Sequence, residues 1–143
     1  MEVSQENSPA FGLGDASFRA AGGYEGVRRL VDTFYGIMSS KPDYRTIWSW
    51  HPSSNTLSRD KLTRFLCGWM GGPRLYHEKY GSISIPRVHA HLEVSTRERD
   101  QWLNCMREAL DQQNYPESFK KYLMEQLFIP ADLVRRVCET TDQ

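Results

Sequence analysis

The chain has 143 residues, with 18 Lys and Arg against 18 Asp and Glu, 39% hydrophobic side chains and 12% aromatic ones. That is the size of a single domain of roughly 100 to 200 residues with enough apolar side chains for one core, which excludes disorder throughout. A formal net charge of zero and the lack of a long basic run remove the counterion-release affinity of a nucleic-acid binder, and no apolar stretch approaches the roughly 18 residues of a membrane-spanning helix.

The amino end, MEVSQENSPA, is acidic and polar where a signal peptide is basic and then apolar, so the expected location is the cytoplasm. Residues 1–14 are rich in Ser, Asn, Gly and Pro without apolar period and read as a flexible arm, leaving 15–143 as the domain. A short helix from Asp15 to Ala21 meets the turn Gly22-Gly23. From Tyr24 the positions Val27, Leu30, Val31, Phe34, Tyr35 and Met38 form a helical stripe, ended by Ser39-Ser40 and the Lys41-Pro42 break. A turn or two carries Tyr44, Ile47, Trp48 and Trp50 as far as His51-Pro52, since the residue before proline is pushed out of the helical region.

A second amphipathic helix is expected from Ser58, read as its cap, to Met70, with Leu62, Phe65, Leu66 and Trp69 on one face and Gly71-Gly72-Pro73 as the stop. Between Pro73 and Val94 the period is poor; a short helix near Arg74 to Tyr80 and a single turn around Arg87 to His91 are expected. Ser95 and Glu98 have the spacing of a capping box for a helix from Thr96 to Gln112 with Trp102, Met106, Ala109 and Leu110 on one face. The last helix starts at Pro116, and Pro130 should bend or split it. Strand alternation is confined to Ile83–Val94, where Pro86 interrupts it, so the class is all-α.

Cys67, Cys105 and Cys138 are odd in number and lack C-x-x-C spacing, and are expected to be reduced thiols. The histidines are His51, His77, His89 and His91. On a helix His89 and His91 would point about 200° apart; on a strand they would share a face with Glu93, the one carboxylate near enough to join them at a metal. Loop hydrogen bonding and metal ligation both remain open for them. Nucleotide-binding glycine loops and G-x-S-x-G are lacking, and neither Cys67 nor Cys105 is tied to a histidine by spacing.

Taken together, Gly22-Gly23, Phe34-Tyr35, Trp69-Met70-Gly71-Gly72-Pro73, Arg87-Val88-His89-Ala90 and the run from Glu98-Arg99-Asp100 through Trp102 to Cys105-Met106 resemble the truncated haemoglobins of group II. The likeness spans about residues 15–138. It implies a globin-like, two-over-two helical sandwich holding haem b (iron protoporphyrin IX), with an iron able to be pentacoordinate and to take oxygen, nitric oxide or carbon monoxide. By that resemblance His89 matches the proximal iron ligand, and Tyr35 and Trp102 match donors to the bound diatomic ligand. Leu62 and Phe65 match the apolar wall, and Ser58 a distal position usually held by a small residue. His51 would be a third distal donor or an internal sixth ligand, and Lys61 and Arg87 candidate partners of the haem propionates. Val88 departs from the basic residue that relatives often carry before the proximal histidine.

The function so implied is binding or transport of oxygen and related ligands, with redox chemistry on nitric oxide or peroxide as an extension. The rivals are a haem peroxidase or nitric-oxide dioxygenase, for which the chain shows no reductase domain and would need a separate reductase, a non-haem metal protein using His89 and His91, and a cofactor-free helical interaction module. A monomer and a homodimer built on the last two helices are both compatible with the sequence.

Overall fold

The computed structural model describes residues 11–52, 54–85, 89 and 92–141, the last three in backbone only. Among the described residues there are helices and turns and no strand. Helix α1 runs Ala16–Ala20 and α2 runs Gly23–Ser40. All six stripe residues of α2 are buried, as the period requires. Ser39 and Ser40 prolong the helix rather than end it, their hydroxyls donating to the Gly36 and Ile37 carbonyls at 3.1 and 3.2 Å. The stop comes at Lys41, extended at φ −109° and ψ 129° ahead of Pro42.

A 3-10 turn, Pro42–Tyr44, leads into α3, Arg45–Ser49. Helix α4 spans Thr56–Trp69, two residues ahead of the expected start. Ser58 is therefore not the cap. Asn55 takes that position, and its side-chain oxygen accepts from the Arg59 Nε–H at 2.7 Å instead of from the helix backbone. Helix α5 spans Leu75–Tyr80. Ile85 and His89 have helical backbones, but most of the expected turn at Arg87–His91 lies outside the described residues. Helix α6, Thr96–Asp111, opens with the capping box that the spacing predicts, Glu98 accepting the Ser95 N–H at 2.9 Å. Helix α7, Glu117–Thr141, takes Pro116 as the acceptor of its first bonds and runs unbroken through Pro130. Of the bend or split expected at Pro130, the split does not occur: a proline removes one helix hydrogen bond, and buried Leu127 and Val134 hold the helix down on either side of it.

Helix α2 packs on both α4 and α6, and α6 packs on α7, so two helix pairs stack through the α2–α6 contact. Phe34, Leu30, Met106, Leu110, Phe119 and Leu123 are fully buried there. A smaller cluster of Val94, Val134 and Cys138 gathers Trp50, Ile85 and Leu92. All three cysteines are free and buried. Phe11, within the stretch read as a flexible arm, packs its ring on Phe119 and Tyr122, with centroids 5.0 and 5.2 Å apart, and its carbonyl accepts from the Ser17 hydroxyl. The turn after α4 depends on Gly71, whose φ of +90° suits glycine, and on its close approach to Gly14: a Cβ at Gly71 would lie 1.9 Å from the Gly14 carbonyl oxygen.

Two glycines of α2 separate space from helix propensity. A Cβ at Gly26 would meet the Ala21 carbonyl oxygen at 1.9 Å, whereas Gly36 is exposed with nothing within 4 Å of such an atom. In urea unfolding, Gly36→Ala should gain about 0.5–1 kcal/mol and Gly26→Ala should lose about 1–3 kcal/mol. Equal shifts in the two would contradict the α1–α2 contact.

Candidate functional site

A cavity of about 440 Å³ lies between α2, α3, α4 and α6, and Tyr35, His51, Ser58, Lys61, Leu62, Phe65, His89 and Trp102 all line it. Eight of the nine positions singled out from the sequence thus converge on one space. The ninth, Arg87, lies outside the described residues, as does His91. A narrower cavity of about 140 Å³ adjoins the first, sharing Trp50, Leu62, Phe65, Ile85, His89 and Trp102, and reaches Leu127, Pro130 and Val134 on α7.

Tyr35 comes from the buried stripe of α2 and is 5% exposed. Its ring stands edge-on to Phe34 and His51, each with centroids 5.3 Å away, and the Arg59 guanidinium lies 5.5 Å from its centroid. Burial pushes the phenol up to about 12, so it carries its proton at any physiological pH. Trp102, from α6, stands edge-on to Phe34 at 5.2 Å. Neither the Tyr35 hydroxyl nor the Trp102 indole N–H has a hydrogen-bond partner among the described residues. Both donors line the cavity unengaged.

The two histidines share one local device. His89 donates from Nδ1 to the Ile85 carbonyl at 2.8 Å, and His51 from Nδ1 to the Ile47 carbonyl at 3.0 Å. A carbonyl only accepts, so in the neutral ring the proton is on Nδ1 and Nε2 keeps its lone pair. Burial pushes His51 below the ordinary histidine value, and its ring stacks on Trp48 at 5.7 Å. The third-donor role expected of His51 therefore needs the charged ring, the form that burial disfavours. The His89 carbonyl is held in turn, accepting from the Leu92 N–H at 3.0 Å and the Cys138 thiol at 3.5 Å.

Sequence reasoning missed Arg59, which pairs with Asp32 of α2 at 2.9 Å while covering Tyr35; a partner 27 residues away leaves no local signal. It also passed over Tyr76, Ile83, Ile85 and Leu92 as lining residues, because they stand in the segment without clean period. Lys61 reaches toward α5, its ammonium 5.3 Å from the Tyr80 ring centroid. Asp60 fastens α5 to α4 by accepting from Arg64 and Lys79, both at 3.0 Å, and from the Tyr80 hydroxyl.

The donor set suits a flat metal-bearing macrocycle. An imidazole with Nδ1 committed to a carbonyl offers Nε2 to a metal, the walls Leu62, Phe65, Ile85 and Trp102 are apolar, and Lys61 supplies a cation for acidic substituents. Among the described residues no three His, Cys, Asp or Glu side chains are grouped to hold a bare ion.

Comparison with known proteins agrees with this architecture. The family model described as bacterial-like globin matches residues 16–133. The chain is 31% identical to the group 2 truncated hemoglobin YjbI of Bacillus subtilis strain 168 over 121 residues, 85% of this chain and 89% of that one. Among solved structures, the group II 2-on-2 hemoglobin of Agrobacterium tumefaciens superposes with a TM-score of 0.79 at 29% identity, covering 83% of this chain and 92% of that one. The truncated oxygen-avid haemoglobin of Bacillus subtilis superposes with a TM-score of 0.74 at 30% identity, covering 82% and 97%. Helix pairs stacked around a histidine-lined cavity define a two-over-two globin. The chain belongs to the bacterial-like globin family, as a group II truncated haemoglobin, and this membership implies a haem cofactor.

The Asp60 clamp can be read by pH. Its three donors, the Tyr80 hydroxyl first, hold the carboxyl at about 2, below its ordinary 3.8. A depressed carboxyl contributes stability above its unfolded pKa, and the contribution fades as pH falls through the folded value. Asp60→Asn should therefore be less stable at pH 7, by on the order of 1 kcal/mol given partial solvent screening. Urea midpoints of variant and parent should draw together between pH 4 and pH 2. A gap that stays constant down to pH 2 would contradict the assignment.

Proposed function

We propose that this chain holds haem b with His89 as its one protein ligand to iron, and that it binds oxygen and related diatomic ligands between Tyr35 and Trp102. The observation that carries this reading is the convergence on one apolar cavity of a carbonyl-oriented imidazole and two unengaged donors. Bound haem supplies an iron that takes up a diatomic ligand with transfer of partial negative charge to it. His89 is oriented for its part by the Ile85 carbonyl, which fixes the ring plane and makes Nε2 the free donor. Tyr35 and Trp102 place an O–H and an N–H where that charge develops, each charge-assisted bond contributing about 1.5–3 kcal/mol. Because Tyr35 ionises only near pH 12, it acts as a donor throughout the working range.

Leu62 and Phe65 give the cavity an apolar wall for the macrocycle, and Ser58, small and on the first turn of α4, leaves room beside it. Lys61 is the described cation available to the propionates; Arg87 is proposed for the same task from the resemblance alone. The name of the oxygen-avid relative from Bacillus subtilis supports oxygen as the ligand, and the two donors give the physical reason for slow release.

Two measurements test this. His89→Ala should abolish haem retention, seen as loss of the Soret band, while His91→Ala retains it; the reverse pattern would overturn the ligand assignment. Tyr35→Phe and Trp102→Phe each delete one donor while keeping most of the ring, so each should raise the stopped-flow oxygen off-rate by roughly tenfold or more. Rates unchanged in both variants would mean that neither side chain reaches the ligand.

A further inference from the structure

A third cavity, of about 360 Å³, lies between the carboxyl half of α4 and α5, and we propose that it binds a small aromatic carboxylate. Its walls are Phe65, Trp69 and Tyr76, and its rim carries Arg64, Arg74 and His77. Aromatic walls favour a flat apolar body, and guanidinium groups favour a planar anion that can accept two parallel bonds.

Two features keep the space open. The Asp60 clamp draws Lys79 and Tyr80 at the end of α5 onto α4. At the other end the Pro73–Arg74 backbone comes against Gly68 of α4, where a Cβ would already touch the Arg74 Cα at 3.4 Å. Glycine inside a helix costs about 1 kcal/mol relative to alanine, and here its missing side chain lets the Pro73–Arg74 backbone approach α4 and bring Arg74 to the cavity.

Among its lining residues the site has two arginines and no carboxylate. Asp60 of α4 is already engaged by Arg64 Nε, Lys79 and Tyr80, and Glu78, one turn after Arg74 on α5, is not among the lining residues. Arg64 spends only Nε on it, so both terminal nitrogens lack a partner among the described residues, as does the whole Arg74 guanidinium. Two arginines with free forks above three aromatic rings match one chemistry, a carboxylate on an aromatic body. Phe65, Tyr76 and Ile83 line this cavity and the first one alike, so a ligand here presses on the same rings that wall the first site.

The test is calorimetric titration of naphthalene-2-carboxylate into the haem-loaded, carbon-monoxide-saturated ferrous protein, in which the first cavity is filled and the iron is blocked. One saturable site is expected, with the neutral naphthalene-2-carboxamide binding at least tenfold more weakly. Arg74→Ala removes an exposed, unpartnered cation, and Arg64→Lys keeps a charge for Asp60 while losing the fork. Each should weaken binding roughly tenfold, and Lys121→Ala on the far helix α7 should leave it unchanged. The proposal is overturned by an absence of saturable binding at millimolar ligand, by equal affinity for acid and amide, by unchanged affinity in both arginine variants, or by binding confined to the haem-free protein.

Discussion

The Tyr35 hydroxyl stands at the wall of an apolar cavity without a hydrogen-bond partner among the described residues, while Phe34, His51 and Arg59 fix its ring. The hydroxyl is not sealed off: the buried side-chain polar atoms left without a partner among the described residues are Thr63 Oγ1 and Gln101 Oε1, and a hydroxyl that faces a cavity can be served by water until a ligand takes its place. The stacking of α2 on α4 and α6 holds the ring in place, because it shares a core with Phe34, Met38 and Met106 while the residue also lines the cavity. A donor held in place before its acceptor arrives needs no reorganisation when it is used. Under the haem reading, the Tyr35 hydroxyl and the Trp102 indole are the two halves of one preparation.

His51 and His89 show how little separates a packing histidine from one proposed as a ligand. Each sits four residues after the carbonyl that holds its Nδ1, and each leaves Nε2 over for something else. They differ in what surrounds them. His51 lies between Trp48 and Tyr35 at the end of α3, whereas His89 is backed by Leu92 and by Cys138 of α7. The environment, more than the residue type, assigns the roles proposed for them.

The helices were legible wherever one face is apolar and the ends carry chemistry that acts locally. The α2 stripe, the Ser95–Glu98 box and the stop at Lys41-Pro42 all operate within a turn of the residues that encode them. The start of α4 was misread because Ser58 resembles a cap while Asn55, three residues earlier, holds the position without making a cap bond. At Pro130 the sequence left a bend and a split both open, and what decides against the split is tertiary, the burial of Leu127 and Val134 against other elements. At the site, the aromatic and histidine positions could be named from the sequence because a family resemblance orders them. Arg59 and its partner Asp32 could not, since an ion pair between two helices has no spacing rule, and Tyr76 and Ile85 fall in a segment whose course is set by what it packs against.

Pro130 divides α7 unequally between the two hydrophobic clusters. Phe119, Leu123 and Leu127 before it belong to the main core, while Val134 and Cys138 after it belong to the small cluster with Val94, against which Ile85 and Leu92 pack. A proline leaves the carbonyl four residues back, that of Gln126, without its helical donor, so the helix is softest where it passes from one cluster to the other. Structures open in cooperative pieces whose stability follows their buried contacts. The piece that backs His89 is the small one. Native-state hydrogen exchange in this protein is therefore set up as two tiers, with the α7 turns that carry Val134 and Cys138 opening while α2 and α6 stay closed.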